Sequence, residues 1–168
     1  MSSILLLTPA KSSFLYKYVI VHHLVLRAEE GKPIGEENVR YLRKEPFMVI
    51  SERSLNHDTL VKNFVGRFDQ HARKDFKWRI DHAILQGYRF VMLNMVAVSF
   101  IDSAALGWLV LAQRRFQRIG GKIGIIAPLG FVRDVLEVTE IGEWIPIFTS
   151  EDEALKSIES SRIHSSES

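Results

Sequence analysis

From residue 47 onward, apolar and polar positions alternate in blocks that read as strands and helices in turn. Residues 47–50 and 59–64 are short β-prone runs around the turn-forming Asn56-His57-Asp58, which predicts two strands. Gly66 and Asp69 then punctuate the chain. Over residues 71–85, Phe76, Ile80, Ala83 and Ile84 recur at helical spacing, with Ala72 a turn earlier. Asp69 is a natural N-cap for that helix, and Gly87 closes it. Residues 89–95 form a nearly unbroken apolar run, as expected of a strand buried on both faces.

The pattern then predicts a helix over residues 103–118. Its apolar face carries Leu106, Leu109, Val110 and Phe116, and its polar end carries Gln113, Arg114, Arg115, Gln117 and Arg118. The arginines lie near the C-terminus, where the helix dipole favours cations. Gly120-Gly121 ends the helix, and residues 122–127 read as another buried strand. Pro128 starts a helix through Val138, with Phe131, Val132, Val135 and Leu136 expected on its inner face. Residues 145–148 form a short last strand. Ser150 to Glu153 is a capping box opening a final helix to about Ile158.

The order β-β-α-β-α-β-α-β-α, with short links, implies an α/β fold. A mixed, largely parallel β-sheet is packed with about four α-helices. The domain is expected to span residues 47–158, and the polar, serine-rich residues 159–168 to be a disordered tail. Residues 1–46 fit neither period. They carry two readings: an extension of unknown role, loosely ordered, or a stretch upstream of the natural product, with translation starting at Met48.

Composition narrows the function classes. The 168 residues are 46% hydrophobic and 25% charged and include no cysteine. Disulfides, thiol catalysis and cysteine-ligated metals are excluded, and a reducing cytoplasm is the plain expectation. The net charge of +2 comes from residues 1–47, which hold seven Lys/Arg and five Asp/Glu. Residues 48–168 hold fifteen of each, so the folded body has no cationic excess for phosphate backbones. Direct nucleic-acid binding is not expected. No run approaches the roughly 20 apolar residues of a membrane span, so no membrane insertion is expected. The apolar stretch over residues 4–7 is too short for a signal peptide.

The candidate chemistry sits at Phe100-Ile101-Asp102-Ser103-Ala104-Ala105-Leu106-Gly107-Trp108, where a strand hands over to a helix. The first turn of a helix leaves backbone N–H groups unpaired. One reading makes Asp102 or Ser103 a helix cap. The other makes Ser103 a phosphoacceptor, because a helix N-terminus tolerates a phosphate while a partner packed there would not. Serine catalysis needs a base within reach; no Gly-x-Ser-x-Gly elbow surrounds Ser103, and His57, His71 and His82 cannot be placed beside it from sequence. The adjacent pair His22-His23 points in opposite directions on an extended segment and makes a poor metal site. Gly120-Gly121-Lys122 lacks phosphate-loop spacing, so these glycines and Gly124 read as turn and packing positions. Trp108 is either a core residue or an interface anchor.

The residues from Phe100 to Gly107, with Gly66-Arg67-Phe68-Asp69 upstream, resemble the STAS domain of bacterial anti-sigma factor antagonists. Residues 114–123, the helix over 128–139 and the closing residues 148–155 are similar too, so the resemblance covers about residues 47–158. It implies the STAS fold and a binding switch rather than an enzyme, without cofactor or metal. The unphosphorylated domain would sequester an anti-sigma factor serine kinase of the GHKL type and so release a sigma factor. That kinase would phosphorylate Ser103 and dissociate the complex, and a PP2C-type phosphatase would restore the binding form. The resemblance assigns partner binding to Asp69, Asp102, Ser103, Ala104, Ala105, Leu106 and Gly107. Two departures stand out: Ala104 and Ala105 replace a frequent serine and glycine, and Asn94 stands where an aspartate is frequent. The alternative function is a non-switching STAS scaffold or accessory subunit of a signalling or membrane-transport assembly, in which Ser103 is only a cap.

Overall fold

The computed structural model describes residues 48–165, and the expectations for residues 1–46, including His22-His23, lie outside them. Five strands form one sheet in the order β1-β2-β3-β4-β5. They are β1 Met48–Ser54, β2 Thr59–Phe68, β3 Phe90–Ile101, β4 Lys122–Ile126 and β5 Ile147–Phe148. β1 pairs antiparallel with β2, and the remaining neighbours are parallel. Among the described residues the four α-helices are α1 Arg73–Leu85, α2 Ser103–Arg118, α3 Gly130–Val138 and α4 Glu151–Ser165. The mixed, largely parallel α/β architecture is the one expected.

The apolar runs of β3 and β4 follow from cover on both faces. Val91, Leu93 and Met95 of β3 and Ile123 and Ile125 of β4 join the core built with α1, α2 and α3. Phe90 and Met92 of β3 and Ile126 of β4 face the other way, onto Ala154 and Ile158 of α4. Gly124 lets that second layer pack closely: a Cβ there would come within 2.9 Å of both the Met92 sulfur and the Phe148 ring, so these side chains would have to shift. Gln113, expected at the polar end of α2, is buried instead, and its Oε1 accepts the Ile123 N–H at 2.8 Å. That bond ties α2 to the start of β4. Lys62, in the middle of β2, is 1% exposed and donates to Glu52 of β1 at 2.6 Å. Burial pulls its ammonium below the ordinary lysine value, while the Glu52 partner acts against it.

Several boundaries differ from expectation. β1 and β2 run to Ser54 and Phe68 because the hairpin pairs Met48–Ser54 with Leu60–Gly66 residue by residue; backbone pairing needs no apolar side chain. β3 continues to Ile101, through Val96 and Ser99, because its lower half pairs with the prolonged β2. Phe131 does not face inward and is 52% exposed. Of the expected disordered tail, residues 159–165 are helical instead, since α4 extends to Ser165. Arg162 pairs with Asp58, donates to the Thr59 hydroxyl at 3.0 Å and lies over the Phe90 ring. The serine hydroxyls of Ser160 and Ser161 bond back to Lys156 and Ser157 carbonyls within the helix. The capping box forms at Ser150, whose hydroxyl accepts the Glu153 N–H at 3.2 Å, but the Glu153 carboxylate returns to the N–H and hydroxyl of Thr149, one residue earlier.

Candidate functional site

The C-terminal ends of β2 and β3 lie side by side, and each leads into a helix. In α/β sheets this edge is where sites assemble. Gly66, at φ +100°, occupies backbone space that side chains avoid. The pairing with β3 shifts between Gly66 and Arg67, so the bulge re-aims the last residues of β2. Arg67 then pairs with Phe100 and Phe68 with Ile101.

Asp69 follows. One carboxylate oxygen accepts the His71 N–H at 3.0 Å, and the His71 Nδ1 lies 3.0 Å from the same oxygen. The other oxygen accepts from Arg67 at 3.3 Å. Burial alone would raise this carboxyl, but the bonds from the His71 backbone, the His71 ring and Arg67 outweigh it and hold it below the ordinary aspartate value. Asp69 caps the short 3-10 turn Gln70–Ala72 that leads into α1, rather than α1 itself.

Asp102 joins this turn to the start of α2. One oxygen accepts the Ala105 N–H at 2.8 Å, the bond of a helix N-cap. The other accepts the Gln70 N–H at 3.1 Å, thirty-two residues away in sequence. The backbone N–H of Asp102 reaches the Phe68 carbonyl at 3.3 Å. Of the two residues read as possible caps, Asp102 is the one that caps.

Ser103 is the first residue of α2 and is exposed. Among the described residues, nothing hydrogen-bonds to its hydroxyl. Its own N–H and that of Ala104 belong to the first-turn donors a helix cannot satisfy internally. Ala104 and Gly107 are exposed and Leu106 is half-buried. Ala105 has no exposed surface, which corrects its assignment as a contact residue: it packs in the core and fixes the height of the turn. Asp69, at 8% exposure, is likewise almost fully buried.

The sequence reading missed a layered platform beside this turn. The Arg67 guanidinium lies 4.0 Å over the Phe100 ring, and Phe100 stacks on Phe131 at 5.7 Å with the rings 7° from parallel. Phe131 and the neighbouring Leu129 are both well exposed. The helical period of α3 assigned Phe131 to the core; the unusual placement of Phe100 beside the Asp102-Ser103 turn was the signal available. Asn94, the other departure, donates to Asn63 at 3.1 Å across β2 and β3, and its own Oδ1 accepts the Val96 N–H. Trp108 is half-buried, 6.2 Å from the Phe68 ring, with its remaining surface open to solvent.

Among the described residues no group of three or more His, Asp or Glu side chains is arranged to hold a metal ion, and no helix is long and apolar enough to cross a membrane. A family model described as STAS domain matches residues 52–154. An anti-sigma F factor antagonist of Lysinibacillus sphaericus is 26% identical over 98 residues, which cover 58% of this chain and 84% of that protein. The anti-sigma factor antagonist SpoIIAA in its unphosphorylated form superposes with a TM-score of 0.59 at 24% identity, covering 67% of this chain and 97% of SpoIIAA. The Bacillus cell fate determinant SpoIIAA in its phosphorylated form gives 0.54 at 23% identity, covering 66% and 99%. At these identities the superpositions establish the STAS fold.

Proposed function

The chain belongs to the STAS domain family, and from that premise we propose that it is an anti-sigma factor antagonist switched by phosphorylation of Ser103. It acts by binding, not by catalysis. In the unphosphorylated form the face around Ser103, Ala104, Leu106 and Gly107 docks on an anti-sigma factor kinase of the GHKL type and thereby frees a sigma factor. Phosphorylation by that kinase ends the complex, and a PP2C-type phosphatase resets it in the cytoplasm.

The observation that carries this reading is the division of labour between adjacent residues. Asp102 takes the cap, so the Ser103 hydroxyl stands exposed and uncommitted at the N-terminus of α2. A phosphate there would add roughly −1.5 to −2 charges at a place the helix itself tolerates. The Asp102 carboxylate already occupies the Ala105 N–H, so the phosphate would be pushed outward, into the space of a docked partner. The cation–aromatic platform of Arg67, Phe100 and Phe131 supplies exposed groups of the kind enriched in binding hot spots. The scaffold alternative, in which Ser103 is only a cap, has less support, because Asp102 is the residue whose side chain caps α2. The Lysinibacillus relative bears the antagonist name, and SpoIIAA has a phosphorylated form, which is the behaviour proposed here.

The test is incubation with ATP and each GHKL-type kinase of the same genome, followed by mapping of the modified residue. Phosphate on Ser103 with one such kinase is expected. Absence of phosphate with every kinase tried, or phosphate only at other serines, would return the protein to the scaffold reading.

A further inference from the structure

A second surface, away from the Ser103 turn, combines apolar and cationic groups. α1 and α2 pack side by side and leave a groove of about 400 Å³ between them. Its floor is Phe76 and Ile80 of α1 and Ala112 of α2. Trp108 and Leu111 form a wall, and Leu111 is 57% exposed. The rim is basic, with Arg73 and Lys77 from α1 and Arg114, Arg115 and Arg118 from α2.

The charges are unevenly neutralised. Lys77 and Arg115 share one carboxylate, Asp81. Among the described residues, Arg73, Arg114 and Arg118 form no ion pair; Arg114 only approaches the Trp144 ring, at 5.9 Å. The groove therefore keeps a cationic excess on a domain whose residues 48–168 are formally neutral. An apolar floor is of no use to a phosphate backbone, and the helices offer no sheet edge to an extended peptide. A helix, in contrast, packs naturally into the furrow between two others.

We propose that the α1–α2 groove is a docking site for an acidic amphipathic helix of a partner protein. Its apolar stripe would lie on Trp108 and Leu111, and its flanking carboxylates would meet Arg73, Arg114 and Arg118. Guanidinium groups pair with carboxylates in two parallel hydrogen bonds, so the arginines fix orientation as well as charge. Trp108 lies five residues beyond Ser103, about 7.5 Å along the helix axis, and the groove runs away from there. The site thus needs no modification of Ser103 and stands whether or not that residue is a switch.

A randomised helical peptide library displayed on phage and panned on the full chain tests this. Enriched peptides are expected to carry an excess of Asp and Glu around an apolar stripe. Their affinity is expected to fall at least about tenfold in the Arg114→Glu/Arg118→Glu variant, by about 1.4 kcal/mol, and to weaken on raising salt. Arg114 and Arg118 are both exposed, and circular dichroism of the variant checks that the fold persists. Ser103→Asp should leave peptide binding in place, which separates this site from the switch. No enrichment, enriched peptides without acidic excess, equal binding to the double variant, or displacement by a single-stranded oligonucleotide would each overturn the proposal.

Discussion

The Asp102 carboxylate holds two pieces of chain that the sequence keeps far apart. It caps α2 through the Ala105 N–H and anchors the turn before α1 through the Gln70 N–H. Removing it loses an N-cap, worth about 0.5–2 kcal/mol, and a long-range bond worth about 0.5–1.5. Asp102→Ala is therefore expected to cost about 1–3 kcal/mol in urea unfolding, since both donors then lack a protein partner. Ser103→Ala, one residue on, should cost less than about 0.5 kcal/mol, because that hydroxyl holds nothing. Equal losses for the two variants would contradict the separation of cap from switch. The sequence placed this pair at the head of a helix but left open which of the two residues capped it. The deciding partner, Gln70, belongs to another element, and no local pattern reports such a contact. Ala105 shows the converse limit: motif position suggested a surface role, while helical phase buried it.

Among the elements, α2 was legible to the residue, because a strong cap at one end and Gly120-Gly121 at the other bracket a clear apolar period. β3 and α4 were not. β3 was expected to end at Met95, but pairing with the bulged end of β2 carries it to Ile101 and delivers Phe100 to the site. The bulge itself depends on Gly66, which looked like simple punctuation. α4 outruns its expected end because Arg162 is tied to Asp58 and Thr59 at the start of β2, a contact more than a hundred residues distant in sequence. Composition counted the serines and could not see the tether. Arg162→Ala should lower global stability by only about 1 kcal/mol, the scale of a partly exposed ion pair with a cation–aromatic contact. Its larger effect should be local: amide exchange over residues 159–165 should accelerate while β3 and β4 stay protected. Unchanged protection of that last stretch would show that other contacts hold it.

At the scale of the whole molecule, the α/β class and helix order followed from alternating periods, because each buried strand needs helices over it. The candidate site edge follows from topology: parallel β2 and β3 end together, and the Asp102 N–H reaches the Phe68 carbonyl across their exits. The Arg67, Phe100 and Phe131 platform and the basic α1–α2 groove were not legible, since each joins residues from separate elements whose outward orientation only packing decides. Together they give the domain two faces of different chemistry, one centred on a serine and one on arginines. Whether charge at Ser103 controls binding is read from calorimetric affinity for the anti-sigma factor kinase of the same genome. Wild type, Ser103→Ala and Ser103→Asp are compared. The alanine variant is expected to bind as the wild type does, and the aspartate variant at least about tenfold more weakly. Equal affinities for the alanine and aspartate variants would contradict a switch that works by charge at Ser103.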